Sequence, residues 1–167
     1  MFSDQVNRIL NDYIDIRFWG VRGTLPVSGE TALKYGGNTS CISLEFPRQQ
    51  LFIFDGGSGI KALGDWLTSQ QRKRIQAKLF ISHPHWDHIN SIPFFAPLYQ
   101  QGNEFEILGA NQCDNSLREL ISSQMDRGYF PITLTKLSAH LYFMFLYPSK
   151  PHTHLPRLNS GARAVAK

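Results

Sequence analysis

The chain is expected to fold as an α/β (α+β) domain in which three strands come first and helices alternate with strands afterwards. Three observations predict this. IDIRFW and CISLEF alternate apolar and polar residues, the wholly apolar LFIF runs into a glycine turn, and a helical period opens only near Ile60. With 167 residues, 42% hydrophobic and 13% aromatic, the chain is long enough for one domain with a substantial core.

Taken in order, Ile14, Ile16 and Phe18 alternate with Asp15, Arg17 and Trp19, the period of a half-buried strand. CISLEF repeats the pattern, with Ile42, Leu44 and Phe46 on one side. LFIF has no polar phase and precedes DGGSG, so it reads as a strand buried on both faces. A helix is expected from about Ile60 to Ile75, with Ile60, Leu63, Leu67 and Ile75 on one side and the solvated cations of QQRKR near its carboxyl end, where the helix dipole favours them. AKLFIS is the next strand, and its end delivers a histidine-rich stretch into a loop. Pro93 and Pro97 bracket the aromatic segment PFFAP. FEILG then reads as a strand, residues 115–125 as a helix and LYFMFLY as a last strand. Beyond Tyr147 the chain has three prolines, little periodicity and no bulky aromatic, so the expected division is a domain over 1–147 and a poorly ordered basic tail over 148–167.

The net charge of +4 is unevenly distributed. Residues 1–126 hold 11 Lys and Arg against 13 Asp and Glu, while the last 41 residues hold six basic residues and no acid. That asymmetry argues against a nucleic-acid-binding surface spread over the domain. Cys41 and Cys113 are too few and too separated for a disulfide framework or a thiolate metal site, and both read as buried reduced thiols. The first 13 residues lack the continuous apolar core of a secretory signal, and neither LFIF nor LYFMFLY is long enough to span a bilayer. A cytoplasmic protein is the default expectation.

The chemistry concentrates in SHPHWDHIN, residues 82–90, where three of the six histidines and an aspartate fall within six positions. In an extended segment side chains two apart point the same way, so His83 and His85 can address one ion while the turn at Asp87 and His88 addresses a neighbouring one. Pro84 biases His83 toward extended geometry. Imidazole and carboxylate suit zinc, with manganese or iron as alternatives. Two ions about 3.5–4 Å apart would lower the pKa of bound water from about 15.7 to about 7 and stabilise charge on the attacked group. Asp87 is the candidate to orient or deprotonate that water. The competing reading is a set of exposed loop histidines with no partner.

HPHWDH resembles the HxHxDH signature of the metallo-β-lactamase superfamily, whose αββα sandwich carries it in the loop after a strand. RFWGVRGTLP, YGGNTSC, FDGGSGI, HWDHI and PFF follow in the order of its phosphodiesterase-like branch, which includes tRNA 3′-processing nucleases and cyclic-nucleotide phosphodiesterases. The resemblance covers residues 16–97 well and 98–147 weakly. It implies His83 and His85 as ligands of a first metal, Asp87 and His88 as ligands of a second, and a small-molecule or nucleotide phosphodiester as substrate. Asp55 would then orient a histidine from behind, or else it caps the following helix. Asn38, Thr39 and Ser40 are candidates to support the site floor, but a glycine turn entering CISLEF is the favoured reading. Arg22 is a candidate for an anionic substrate or a plain turn residue, and Trp86 is expected to pack the loop.

The family completes its site with a later histidine, a bridging carboxylate and a final histidine. No Asp or Glu follows Asp126 here, and His140, His152 and His154 are the late histidines. His140 reads as a strand-end residue. The expectation is therefore a sandwich with its second half incomplete, as in a truncated or frameshifted chain. Two functions follow: a metal-dependent phosphodiester hydrolase, or a catalytically incompetent product retaining only the HxHxDH loop. LYFMFLY would form an exposed apolar edge prone to self-association.

Overall fold

The computed structural model describes residues 13–47, 50–110 and 115–146. The expected tail, His152, His154 and Cys113 lie outside the described residues. Strands β1 (Asp15–Gly20), β2 (Cys41–Phe46), β3 (Gln50–Phe54), β4 (Gln76–Ile81), β5 (Glu104–Gly109) and β6 (His140–Phe145) form one sheet in chain order. The helices are α1 (Gly59–Ser69), the single turn α2 (Trp86–Ile89) and α3 (Leu117–Gln124).

β1, β2 and β3 pair antiparallel, and β3 through β6 pair parallel. Parallel neighbours require crossovers, which α1, the segment containing α2, and α3 supply. Each crossover moves the chain one strand further in the same direction. Right-handed connections therefore put every crossover on the same face of the sheet. The core lies there: Ile60, Leu63 and Leu67 of α1 and Ile121 of α3 pack with Leu51, Ile53, Leu79, Phe105 and Ile107, all fully or almost fully buried. Pro93 and Pro97 each open a short 3-10 turn, and Phe95 between them is buried against Phe105.

This one-sided cover corrects three sequence expectations. In β1 the buried phase is inverted: Ile16 and Phe18 are exposed, while Trp19 turns inward, stacks near Trp66 and donates its indole N–H to Ser43 Oγ at 2.8 Å. LFIF is buried on one face only, because Leu51 and Ile53 meet the helices whereas Phe54 is 37% exposed. The first helix stops at Ser69, because Gln71 adopts a left-handed backbone with φ 50° and turns the chain back toward β4. Ile75 is thus a buried residue leading into β4, with its N–H bonded to Asn103 Oδ1 at 2.8 Å. The cations beyond the helix are not simply solvated either: Arg72 pairs with Glu45 at 2.7 Å, and Arg74 pairs with Glu104.

The later elements follow expectation closely. α3 begins at Leu117 behind Ser116, whose side chain and that of Glu119 cap each other's backbone N–H. LYFMF falls within β6, an edge strand whose sole neighbour in the sheet is β5. Among the described residues there is a single mixed sheet with helices on one face, the α/β part of the expected architecture. No helix among them is long and apolar enough to cross a membrane.

Candidate metal centre

The carboxyl ends of β4 and β5 open onto the histidine loop, the position at which parallel α/β sheets bind ligands. Ser82 follows β4, His85 is extended at φ −64° and ψ 151°, and α2 then turns Asp87 and His88 back toward the strand end. The three imidazoles come together. Ring centroids lie 4.5 Å apart for His83 and His85 and 4.1 Å apart for His83 and His88. Asp87 Oδ2 lies 3.5 Å from His88 Nε2. His83 also borders a small cleft with Pro84, Gly109, Asn115 and Leu117.

Asp55 is the hub behind this cluster. It ends β3 with a left-handed backbone, φ 64°, and is only 6% exposed. Its Oδ1 accepts the Ser82 amide at 2.9 Å and the Ser82 hydroxyl at 2.8 Å. Its Oδ2 accepts the Ser40 hydroxyl at 3.0 Å and faces His88 Nδ1 at 2.8 Å. A carboxylate can only accept, so in the neutral ring this contact puts the proton on Nδ1 and leaves the Nε2 lone pair on the side of Asp87. The helix-cap reading of Asp55 is excluded, because the residue preceding α1 is Ser58.

The YGGNTS segment does more than turn the chain. Thr39 Oγ1 accepts the Ser58 amide at 2.8 Å, Ser58 Oγ accepts the Thr39 amide at 2.9 Å and donates to Asn38 Oδ1 at 3.1 Å, and Ser40 holds Asp55. This corrects the favoured turn-only reading. Two glycines let the loop after β3 press against the histidine turn. A Cβ on Gly57 would stand 2.2 Å from the Asp87 carbonyl oxygen, and one on Gly56 would stand 2.4 Å from Ile92 Cγ1. The Gly56 amide donates to the His88 carbonyl at 2.6 Å.

Thr24 was not visible from sequence as a site residue. Its backbone N–H donates to Asp87 Oδ2 at 2.8 Å. That bond is the main reason the Asp87 carboxyl sits below its ordinary value; burial opposes the shift, and the imidazoles of His88 and His83 add to it. Arg22 is built into the same loop, its Nε donating to the Gly36 carbonyl at 3.1 Å. Trp86, expected to pack the loop, is 62% exposed, because the first position of α2 points it outward. Cys41 is fully buried, and burial together with the Asp55 charge pushes its thiol pKa upward, so it is no thiolate donor. His140 opens β6 opposite Glu104, at the sheet end away from the histidine loop, and does not join the cluster.

The donor types fit zinc, and His88 has the carboxylate-backed orientation usual for an imidazole ligand. Among the described residues no group of three or more His, Cys, Asp or Glu is gathered as one ready-made ion site. The donors therefore arrive in neighbouring pairs around His83 and His88.

No family model and no solved structure matches the chain. Among curated proteins it is distantly similar to Ribonuclease Z. The proteins of that name from two strains of Prochlorococcus marinus, MIT 9303 and MIT 9313, are each 27% identical over 104 residues, which is 60% of this chain and 32% of theirs. Ribonuclease Z of Synechococcus sp. CC9311 is 23% identical over 128 residues, 74% of this chain and 38% of that protein. The chain thus spans about a third of the length of the curated relatives it matches.

Proposed function

We propose that this chain carries the metal-binding part of a phosphodiester hydrolase acting on RNA, with His83 and His85 holding one zinc ion and Asp87 and His88 a second. The observation that carries the proposal is the line from Asp55 through His88 to Asp87, with 2.8 Å and 3.5 Å contacts, beside the clustered rings of His83 and His85. The similarity to proteins named Ribonuclease Z supports RNA as the substrate class. It also supports reading the sheet as one half of the αββα sandwich of tRNA 3′-processing nucleases.

Zinc, when bound, would supply a Lewis acid and a nucleophile available at neutral pH. The chain's residues set the stage for that. Asp55 fixes the His88 ring and its proton, so that Nε2 is presented as the donor. The Thr24 amide keeps Asp87 ionised and aimed, leaving its second oxygen free to orient or accept the proton of attacking water. The test is zinc stoichiometry together with hydrolysis of bis(p-nitrophenyl) phosphate and of a short RNA. Two ions per chain and a turnover reduced by a factor of at least ~100 in His85→Ala are expected. The paired rather than clustered donors favour a second reading, an incompetent product that keeps the loop alone. One weakly held ion and no turnover would select it.

A further inference from the structure

We infer that the uncovered face of the sheet is a dimer interface, closed by the same face of a second copy of this chain. The face is built from two cross-strand rows. One row reads Phe18, Ile42, Phe54, Phe80, Leu108 and Met144 across β1 to β6, without a polar residue. The next reads Ile16, Leu44, Phe52, Lys78, Glu106 and Tyr142. Its two charges neutralise each other, Lys78 Nζ lying 2.9 Å from Glu106 Oε2. The face is therefore apolar and without net charge, so two copies meet without repulsion.

Its size fits the same occupant. Six strands at about 4.8 Å spacing and six residues at about 3.3 Å rise give a face of about 570 Å². Two such faces together exceed about 1,000 Å², where specific interfaces begin. The rows are also self-complementary about a two-fold axis running along the strands between β3 and β4. Each strand then lies over its counterpart, β3 over β4, β2 over β5 and β1 over β6. Phe54 meets Phe80 of the second copy, Ile42 meets Leu108, Phe18 meets Met144, and Lys78 lies over the Phe52 ring. The stacked rings of Phe54 and Phe80, 5.2 Å apart, form the centre of this contact. The assembly has the layer order helix, sheet, sheet, helix, in which each sheet has both faces covered. This surface is distinct from the β6 edge, which pairing of faces leaves open.

The test is light scattering over a wide range of concentration on the full chain and on Phe80→Lys and Phe18→Lys, with circular dichroism confirming that each variant is folded. A species of twice the 19.1 kDa chain mass is expected. Phe80→Lys should weaken its formation by a factor of about 30 or more, the size of an interface hot spot. Phe18 is 67% exposed and makes a variant that spares the core even if Phe80→Lys fails to fold; its dimer should also weaken. A chain that stays monomeric at every concentration would overturn the inference, and the face would then belong to another occupant. So would a dimer that survives in both variants, which would mean edge pairing through β6, or open-ended oligomers in place of a closed pair.

Discussion

Asp55 accepts from Ser40, from Ser82 twice and from His88, and so joins the ends of β3 and β4 to the histidine turn. Replacing it with Ala would strand a buried amide, two hydroxyls and an imidazole. Asp55→Ala should cost about 2–4 kcal/mol in urea unfolding and weaken zinc binding by about 10–100-fold. Asp55→Asn should cost less stability, because Asn also tolerates φ 64° and keeps one accepting oxygen, yet it should lose zinc affinity similarly. The sequence displayed Asp55 as the residue after an apolar tetrad, which is as good a mark of a turn as of a site. Its pairing with His88, 33 positions away, is a product of the fold. Thr24 was less legible still, since it acts through a backbone N–H that no side-chain type advertises.

At the scale of elements, local rules worked where the signal was local. Ser116 and Glu119 form the S-x-x-E box that starts α3. Ser116→Ala should cost about 1 kcal/mol by thermal unfolding. The Glu119 carboxyl is held below its ordinary value first by the Ser116 amide and then by the Ser116 hydroxyl. A carboxyl lowered in the folded state stabilises fully above its unfolded value, about 4.3, and this stabilisation is lost as pH falls through the folded value. Stability measured against pH should accordingly fall less steeply on the acid side in Glu119→Gln. The end of α1 was misjudged because the apolar spacing to Ile75 continues the helical period, while the stop depends on Gln71 taking a left-handed conformation that its residue type does not announce.

For the molecule as a whole, the decisive fact is that the strand order never reverses, so the crossovers crowd one face and leave the other open. Adjacent residues of β4 should report this directly. Leu79, 2% exposed on the helix side, should cost about 2–5 kcal/mol as Leu79→Ala, whereas Phe80→Thr on the open side should cost about 1 kcal/mol or less, by urea unfolding at concentrations that hold the monomer. Equal losses would mean that both faces are core. The sequence by itself determined the order of strands and helices and the imidazole and carboxylate donors after β4, because periodicity, turn chemistry and ligand type are written in neighbouring residues. Only the tertiary structure decided which side of Phe18, Phe54 and Trp19 is buried, which carboxylate backs His88, and that His140 lies at the far end of the sheet. Those outcomes depend on partners distant along the chain, and a residue's own phase and type are the same whichever partner the fold brings.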